Sequence, residues 1–138
     1  EMDLVQIDTH LTRPVNILIV DDSKTVHLML ENTISHVMKN VVILDAFDGK
    51  EAVDMVELSN IDIILLDWNM PEMTGIEALK VIRANPENKH IKIAMVTTEA
   101  QKDDVRKAIS IGLNGYIVKP FDRAKVIAFL KQSIARIQ

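Results

Sequence analysis

Five short apolar runs constrain the fold of this chain more than any other feature of its sequence. They lie at residues 16–20, 41–44, 61–66, 92–96 and 115–118. Runs of this length are typical of buried strands. The segments between and after them have helical spacing instead, clearest in a stripe near the end that can cover a sheet, formed by Val126, Phe129, Leu130, Ser133, Ile134 and Ile137.

This alternation of strands and helices predicts βαβ units, and right-handed crossovers then give a parallel sheet between two layers of helices. Five strands and five helices suit an α/β, flavodoxin-like doubly wound sheet with strand order 2-1-3-4-5. Ser23 is expected to cap the first helix and Gly112 to end the fourth. The inner face of the first helix is predicted to hold Val26, Met29, Leu30, Thr33 and Val37.

The length of 138 residues suits one domain with a single core. Residues 15–138 form the predicted domain, and residues 1–14 form an N-terminal arm that is expected to be loosely attached. The arm has neither the basic start nor the apolar centre of an export signal, and no apolar run approaches membrane-spanning length. We therefore expect a cytoplasmic location and no membrane partner.

Composition excludes several kinds of site. A net charge of -4 argues against nucleic acid as a direct partner. The chain has no cysteine, which excludes disulfides, thiolate metal ligands and thiol catalysis. The four histidines have no ligand spacing with one another or with a carboxylate, so we expect solvated or partly packed side chains at His10, His27, His36 and His90.

Polar residues stand where the predicted strands end. Asp21 and Asp22 follow the first strand, Asp67 the third, Thr97 the fourth and Lys119 the fifth. In doubly wound sheets the functional crevice lies beyond these ends. If the first and third strands are neighbours, the three carboxylates repel one another by roughly 1 to 4 kcal/mol per pair. A hard divalent cation such as Mg²⁺ would relieve that repulsion.

These residue types also suit phosphoryl transfer. A carboxylate beside Mg²⁺ can attack phosphorus and form an aspartyl phosphate. Lys119 and the Thr97 hydroxyl could each bind a phosphoryl oxygen, because this chemistry depends mainly on positioning and charge neutralisation. Taken singly, the aspartates suit helix caps, Lys119 a solvated loop and Thr97 an ordinary strand position. Because all of these residues stand at strand ends, a shared phosphoryl-transfer site is favoured over these separate roles.

Four segments closely resemble the receiver domain of two-component response regulators. They are LIVDDS at 18–23, LLDWNMPEMTG at 65–75, MVTTE at 95–99 and GYIVKPF at 115–121. The resemblance extends over roughly residues 15–138, and DWNMP and GYIVKPF are most similar to single-domain chemotaxis receivers of the CheY type. It implies a signalling switch, with no enzymatic activity beyond self-phosphorylation and autodephosphorylation.

The resemblance assigns roles to the residues at the cation site. Asp67 would be the phosphoacceptor, and Asp22 and the backbone carbonyl of Asn69 would join it on Mg²⁺. Asp21 would act on the cation through water. Lys119 would pair with the phosphoryl group, its bond to Pro120 being cis in the family.

The resemblance also implies a switch and a set of partners. Thr97 would move to the phosphoryl group and Tyr116 would turn into the vacated space, which reshapes the output face of the fourth helix, fifth strand and fifth helix. That face includes Ala100, Tyr116, Val118 and residues 125–129. A histidine kinase would supply the phosphoryl group, and the chain, as a monomer, would bind a protein target. The flagellar motor switch is the first candidate for that target. Asn69 and Glu99 would set the lifetime of the phosphorylated form.

Other functions remain open at this point. A Mg²⁺-dependent phosphatase of the haloacid dehalogenase type also uses an aspartate nucleophile. Such enzymes have Asp-x-Asp after the first strand and a cap over the substrate, whereas this chain has adjacent Asp21 and Asp22 there and no insertion long enough for a cap. A docking module that is never phosphorylated and a receiver cut from a larger multidomain regulator are further alternatives. A flavodoxin is disfavoured because the first turn, DDSKT, is acidic where a flavin phosphate would bind.

Overall fold

The computed structural model describes residues 6–98 and 102–137 of the chain, in which strands and helices alternate. All five strands are parallel, in the order β2-β1-β3-β4-β5. The predicted fold class and strand order are therefore confirmed. The elements are β1 (Val15–Val20), α1 (Lys24–Val37), β2 (Val41–Ala46), α2 (Gly49–Leu58), β3 (Ile63–Asp67), α3 (Gly75–Ala84), a 3-10 turn (Pro86–Asn88), β4 (Lys92–Thr97), α4 (Lys102–Ile111), β5 (Gly115–Val118) and α5 (Arg123–Ile134).

The sheet is covered on both faces because successive side chains of a strand point to opposite sides. One core cluster joins the sheet to α2, α3 and α4, and the other joins it to α1 and α5. In β3 every residue is buried, which is the reason its first four residues are apolar without alternation. Among the described residues, no helix combines the length and hydrophobicity needed to cross a membrane.

The helix termini follow the predicted signals. The Ser23 hydroxyl accepts a hydrogen bond from the backbone N–H of Val26 at 3.3 Å. Gly112 follows the last residue of α4 with a φ of 128°, a conformation that L side chains rarely adopt. The predicted stripe on α5 is buried from Val126 to Ile134, and it packs against the sheet as expected.

The inner face of α1 was predicted only in part. Leu30, Thr33 and Val37 are buried, but Met29 is 49% exposed, so that assignment was wrong. The buried stripe runs through His27 and Leu30 at helical spacing, and Met29 lies about a hundred degrees away from Leu30 around the helix. The buried face of α1 includes the polar His27, which a pattern of apolar residues alone does not place there.

The described part of the N-terminal arm, residues 6–14, is attached more closely than expected. The buried Asp8 carboxylate accepts hydrogen bonds from the backbone N–H groups of Lys39 and Asn40, at 2.8 to 3.0 Å. Arg13 makes a bidentate pair with Asp62, at 2.9 and 3.1 Å. No periodic pattern in the sequence predicts these contacts, because the partners of Asp8 are main-chain groups. The boundary between arm and domain at residue 15 stays a prediction.

We expect Asp8→Ala to lower the free energy of unfolding by about 1–3 kcal/mol, because it removes a buried carboxylate that accepts hydrogen bonds from the backbone N–H groups of Lys39 and Asn40, just before β2. The measurement is the urea midpoint at constant slope. His10→Ala, at an exposed position of the same arm, is the control. Equal midpoints for Asp8→Ala and the parent chain would mean that the arm adds nothing to stability.

Candidate functional site

The sheet brings the predicted site residues to one edge. β1 lies between β2 and β3, so that Asp21, which follows β1, and Asp67, which ends β3, extend from neighbouring strands. β5 ends beside β4, with Val118 opposite Thr97, and the next residue is Lys119. Because all the strands are parallel, their carboxyl ends meet at this edge.

Three carboxylates converge there. Asp21, Asp22 and Asp67 each offer an oxygen, and these oxygens lie within 4.8 Å of one another. Asp21 and Asp67 are buried, the latter only 6% exposed, whereas Asp22 faces solvent. A cluster of carboxylate oxygens that is open on one side fits a hard divalent cation such as Mg²⁺, which retains several of its waters.

Lys119 offsets part of this negative charge. Its Nζ lies 2.7 Å from Asp21 Oδ2 and 3.4 Å from Asp67 Oδ1. The bond from Lys119 to Pro120 is cis, as the resemblance implied. The backbone N–H of Lys119 donates to the carbonyl of Thr97 at 2.6 Å. This hydrogen bond ties the loop that carries the ammonium group to the end of β4.

Burial dominates the electrostatics of Asp67. Loss of hydration and the charge of Asp21 raise the pKa of Asp67 to about 6, against an ordinary value of 3.8. The charge of Lys119, its hydrogen bond and the backbone N–H of Asn69 oppose the rise without cancelling it. For Lys119, burial lowers the pKa, but the hydrogen bond to Asp21 and the two carboxylate charges outweigh burial and leave the pKa raised.

The loop after Asp67 is held against the start of α3. A Cβ at Gly75 would lie 2.3 Å from the carbonyl oxygen of Asp67 and 3.0 Å from the Cα of Trp68, so only glycine fits. The N–H of Gly75 donates to the Trp68 carbonyl at 2.8 Å. Thr74 and Glu77 complete the helix start as a capping box. The main chain at the candidate phosphoacceptor is thus fixed by direct contact with a helix.

The two predicted switch residues lie on adjacent strands. Thr97 is buried at the end of β4, whereas Tyr116, on β5, is 49% exposed. Asn69 is exposed beside Asp67. Glu99 and Ala100, which we expected to affect lifetime and output, lie outside the described residues. The assigned roles of these residues stay predictions.

Sequence reasoning missed His27, which was expected to be solvated or only partly packed. Its ring is buried, with Nε2 2.8 Å from the carbonyl oxygen of Asp21 and Nδ1 2.5 Å from Asp45 Oδ1. The ring also stacks on Phe47, with centroids 4.4 Å apart. The sequence could have indicated this burial through helical spacing, because His27 stands three residues before the buried Leu30 and lies on the same face of the helix.

Comparisons with known proteins agree with this geometry. The model of the response regulator receiver domain matches residues 17–131. The chemotaxis protein CheY of Pseudomonas aeruginosa is 41% identical over 124 residues, 89% of this chain and 95% of that protein. The structure of Vibrio cholerae chemotaxis protein CheY4 has 32% identity and a TM-score of 0.78, with 87% of this chain and 98% of that one covered.

One further structure includes a cation. The receiver domain of a sensor histidine kinase from Pseudomonas aeruginosa, with a magnesium ion coordinated in its active-site cleft, has 28% identity and a TM-score of 0.78. The similarity covers 88% of this chain and 98% of that domain. A chain of this fold thus holds a divalent cation in its cleft.

The raised pKa of Asp67 predicts a pH-dependent gain in stability for Asp67→Asn. Above pH 6 the ionised carboxylate costs the native state stability, and this cost fades as the pH falls through about 6 and is gone below 3.8. We expect the variant to be about 1–2 kcal/mol more stable than the parent at pH 8 without divalent cations, and equally stable at pH 3.5. Urea unfolding across this range measures the difference.

Asp54→Asn, an exposed carboxylate on α2, is the control for this series and should show no such gap. A difference between Asp67→Asn and the parent that stays constant from pH 8 to pH 3.5 would contradict the raised pKa.

Proposed function

The chain belongs to the response regulator receiver domain family, and from that membership we propose that it is a signalling switch activated by phosphorylation of Asp67. The observation that carries the proposal is the convergence of three carboxylates with the Lys119 ammonium, which lies between Asp21 and Asp67. A buried nucleophile beside a cation site and a fixed positive charge is the arrangement that phosphoryl transfer requires.

The carboxylates that converge here would hold Mg²⁺ together with a main-chain oxygen. Asp22 and Asp67 would bind it directly, Asp21 would act through water, and the carbonyl of Asn69 would complete the protein's share. The ion's contribution is to neutralise the carboxylates and the oxygens of the incoming phosphoryl group. The similar kinase receiver domain with magnesium in its cleft supports a magnesium site at this edge of the sheet.

Asp67 would act as the nucleophile in the transfer. One carboxylate oxygen forms a bond to phosphorus while the bond from phosphorus to the donor's histidine nitrogen breaks, and the histidine departs with its electron pair. This attack requires the ionised carboxylate, a form that a cation bound beside Asp67 would favour. The Lys119 ammonium is 3.4 Å from Asp67, compared with 2.7 Å from Asp21, so its weaker contact can be exchanged for a phosphoryl oxygen.

The signal would leave the site through Thr97 and Tyr116. Thr97 lies at the end of β4, next to the strand that carries Asp67, and the exposed Tyr116 lies on β5. A local change of charge reaches a distant surface only through an element with two discrete arrangements. Movement of the Thr97 hydroxyl toward the phosphoryl group and rotation of Tyr116 would be those arrangements. The output face would be α4, β5 and α5, including Val118.

The partners follow from the family and the relatives. A histidine kinase would donate the phosphoryl group, and a protein target would bind the phosphorylated monomer. Relatives named as chemotaxis proteins favour a role in chemotaxis, with the flagellar motor switch as the first candidate target. The described residues form five strand–helix units without an inserted cap, which favours the switch over a phosphatase that must enclose a small substrate.

Asp67 should accept one phosphoryl group from acetyl phosphate with Mg²⁺ present, because the site is assembled without a kinase. Intact-mass measurement detects the added group, and Asp67→Asn should show none. Asp54→Asn, whose carboxylate is exposed on α2, should behave like the parent. Equal incorporation in Asp67→Asn and the parent would remove Asp67 from the mechanism.

Thr97→Ala should separate phosphorylation from the switch. Tyr116 is the only tyrosine, so 3-fluorotyrosine labelling gives a single ¹⁹F resonance that reports its environment. We expect beryllofluoride, a mimic of the phosphoryl group, to shift this resonance in the parent and to leave it nearly unchanged in Thr97→Ala.

Trp68, the only tryptophan, reports independently that beryllofluoride has bound to the variant. If Thr97→Ala binds the mimic and its fluorotyrosine resonance shifts as far as in the parent, the coupling between Thr97 and Tyr116 is wrong.

A further inference from the structure

We propose that His27 is a positioning residue for the cation site, because it clamps the peptide group that joins Asp21 to Asp22. The inference rests on the proposed function, since it concerns the same Mg²⁺ site. The two ring nitrogens of His27 lie against Asp45 Oδ1 and the Asp21 carbonyl oxygen, neither of which is a carboxylate oxygen of the cluster. The histidine acts through the main chain between two of the three carboxylates.

The contact with Asp21 has a defined direction. His27 Nε2 lies 2.8 Å from the Asp21 carbonyl oxygen in a buried setting. A carbonyl oxygen can only accept a hydrogen bond, so Nε2 carries a hydrogen and donates it. The carbonyl belongs to the planar peptide that leads into Asp22. Its orientation therefore sets the direction in which the chain leaves the buried Asp21 and presents the exposed Asp22.

The histidine ring is itself held from its other side. Nδ1 lies 2.5 Å from Asp45 Oδ1, at the end of β2, and the ring stacks on Phe47 with an interplanar angle of 25°. His27 is 3% exposed, so the ring has little freedom to turn. Asp45 pairs with Ile19 of β1 in the sheet register. The clamp thus connects two adjacent strands and the start of α1.

With this clamp, every polar group of Asp21 has a partner. Its N–H donates to the carbonyl of Ala46 at 3.2 Å, and its carboxylate accepts from the N–H of Ser23 and from Lys119. Only the carbonyl depends on His27. Removal of that donor would leave a buried acceptor unsatisfied and allow the peptide plane to rotate, which changes the direction of Asp22 without touching either carboxylate.

The expected consequence is weaker cation binding. Loss of a group that orients a metal ligand commonly lowers metal affinity by about 10–100-fold. His27 acts through the backbone, so we expect a change near the lower end, roughly tenfold, in His27→Phe. Phenylalanine retains an aromatic ring to stack on Phe47 but has no nitrogen. The measurement is a Mg²⁺ titration of Trp68 fluorescence at fixed ionic strength, with calorimetry as a second readout.

His27→Gln is the rescue variant. The glutamine side chain places an N–H donor the same number of bonds from the backbone as His27 Nε2. We expect it to recover most of the Mg²⁺ affinity without the ring. His36→Phe, an exposed histidine on the same helix, should leave the affinity unchanged. Urea unfolding of each variant separates a loss of stability from a loss of cation affinity.

The outcomes distinguish this inference from the proposed function. If the parent chain binds no Mg²⁺, the proposed function is wrong. If the parent binds Mg²⁺ and His27→Phe binds it equally well, or if His27→Gln is as weak as His27→Phe, the positioning role is wrong and the proposed function stands.

A second variant decides the matter if His27→Phe does not fold. Asp45→Ala removes the outer anchor at a residue whose side chain is 41% exposed, so the fold should tolerate it. We expect a smaller loss of Mg²⁺ affinity, because His27 keeps its bond to Asp21 but gains freedom to turn. Asp54→Ala, an exposed carboxylate on α2, is the charge-matched control. Equal affinities for Asp45→Ala and the control would overturn the inference.

Discussion

Repulsion among three carboxylates is the constraint around which the site is built. Asp21, Asp22 and Asp67 present oxygens within 4.8 Å of one another, and Lys119 offsets only part of their charge. The free energy that holds them there comes from elsewhere, chiefly from apolar strands buried between two helical layers. Because the sheet keeps the charges together, anything that neutralises them, whether a proton or a cation, is favoured at this edge.

The fold was predictable because its determinants are local patterns repeated along the chain. Each apolar run gave a strand, and polar residues at the run ends identified the edge at which Asp21, Asp67 and Lys119 meet. The third run was predicted from residue 61, whereas β3 begins at Ile63 and the Asp62 carboxylate before it binds Arg13. Strand order followed from the handedness of the crossovers together with the family resemblance.

What could not be predicted depends on partners far away in the sequence. His27 is buried because Asp45 and the Asp21 carbonyl satisfy both ring nitrogens, and Asp8 is buried because two main-chain N–H groups meet it. Hydrophobic periodicity treats both residues as polar and therefore exposed. Met29 shows the opposite error, because its side chain is apolar and was predicted to be buried but is exposed. In each instance a specific hydrogen bond or helical phase overrides the average preference of the residue type.

The arm and the carboxylate cluster lie at opposite ends of the strands. Asp8 and Arg13 bind residues near the strand starts, whereas the cluster follows their carboxyl ends, separated by the length of β1, about 20 Å for six residues. Groups this far apart contribute to folding free energy almost additively. Thermal robustness and signalling can therefore vary independently in this chain, so that an evolving lineage or a protein engineer can change one while leaving the other intact.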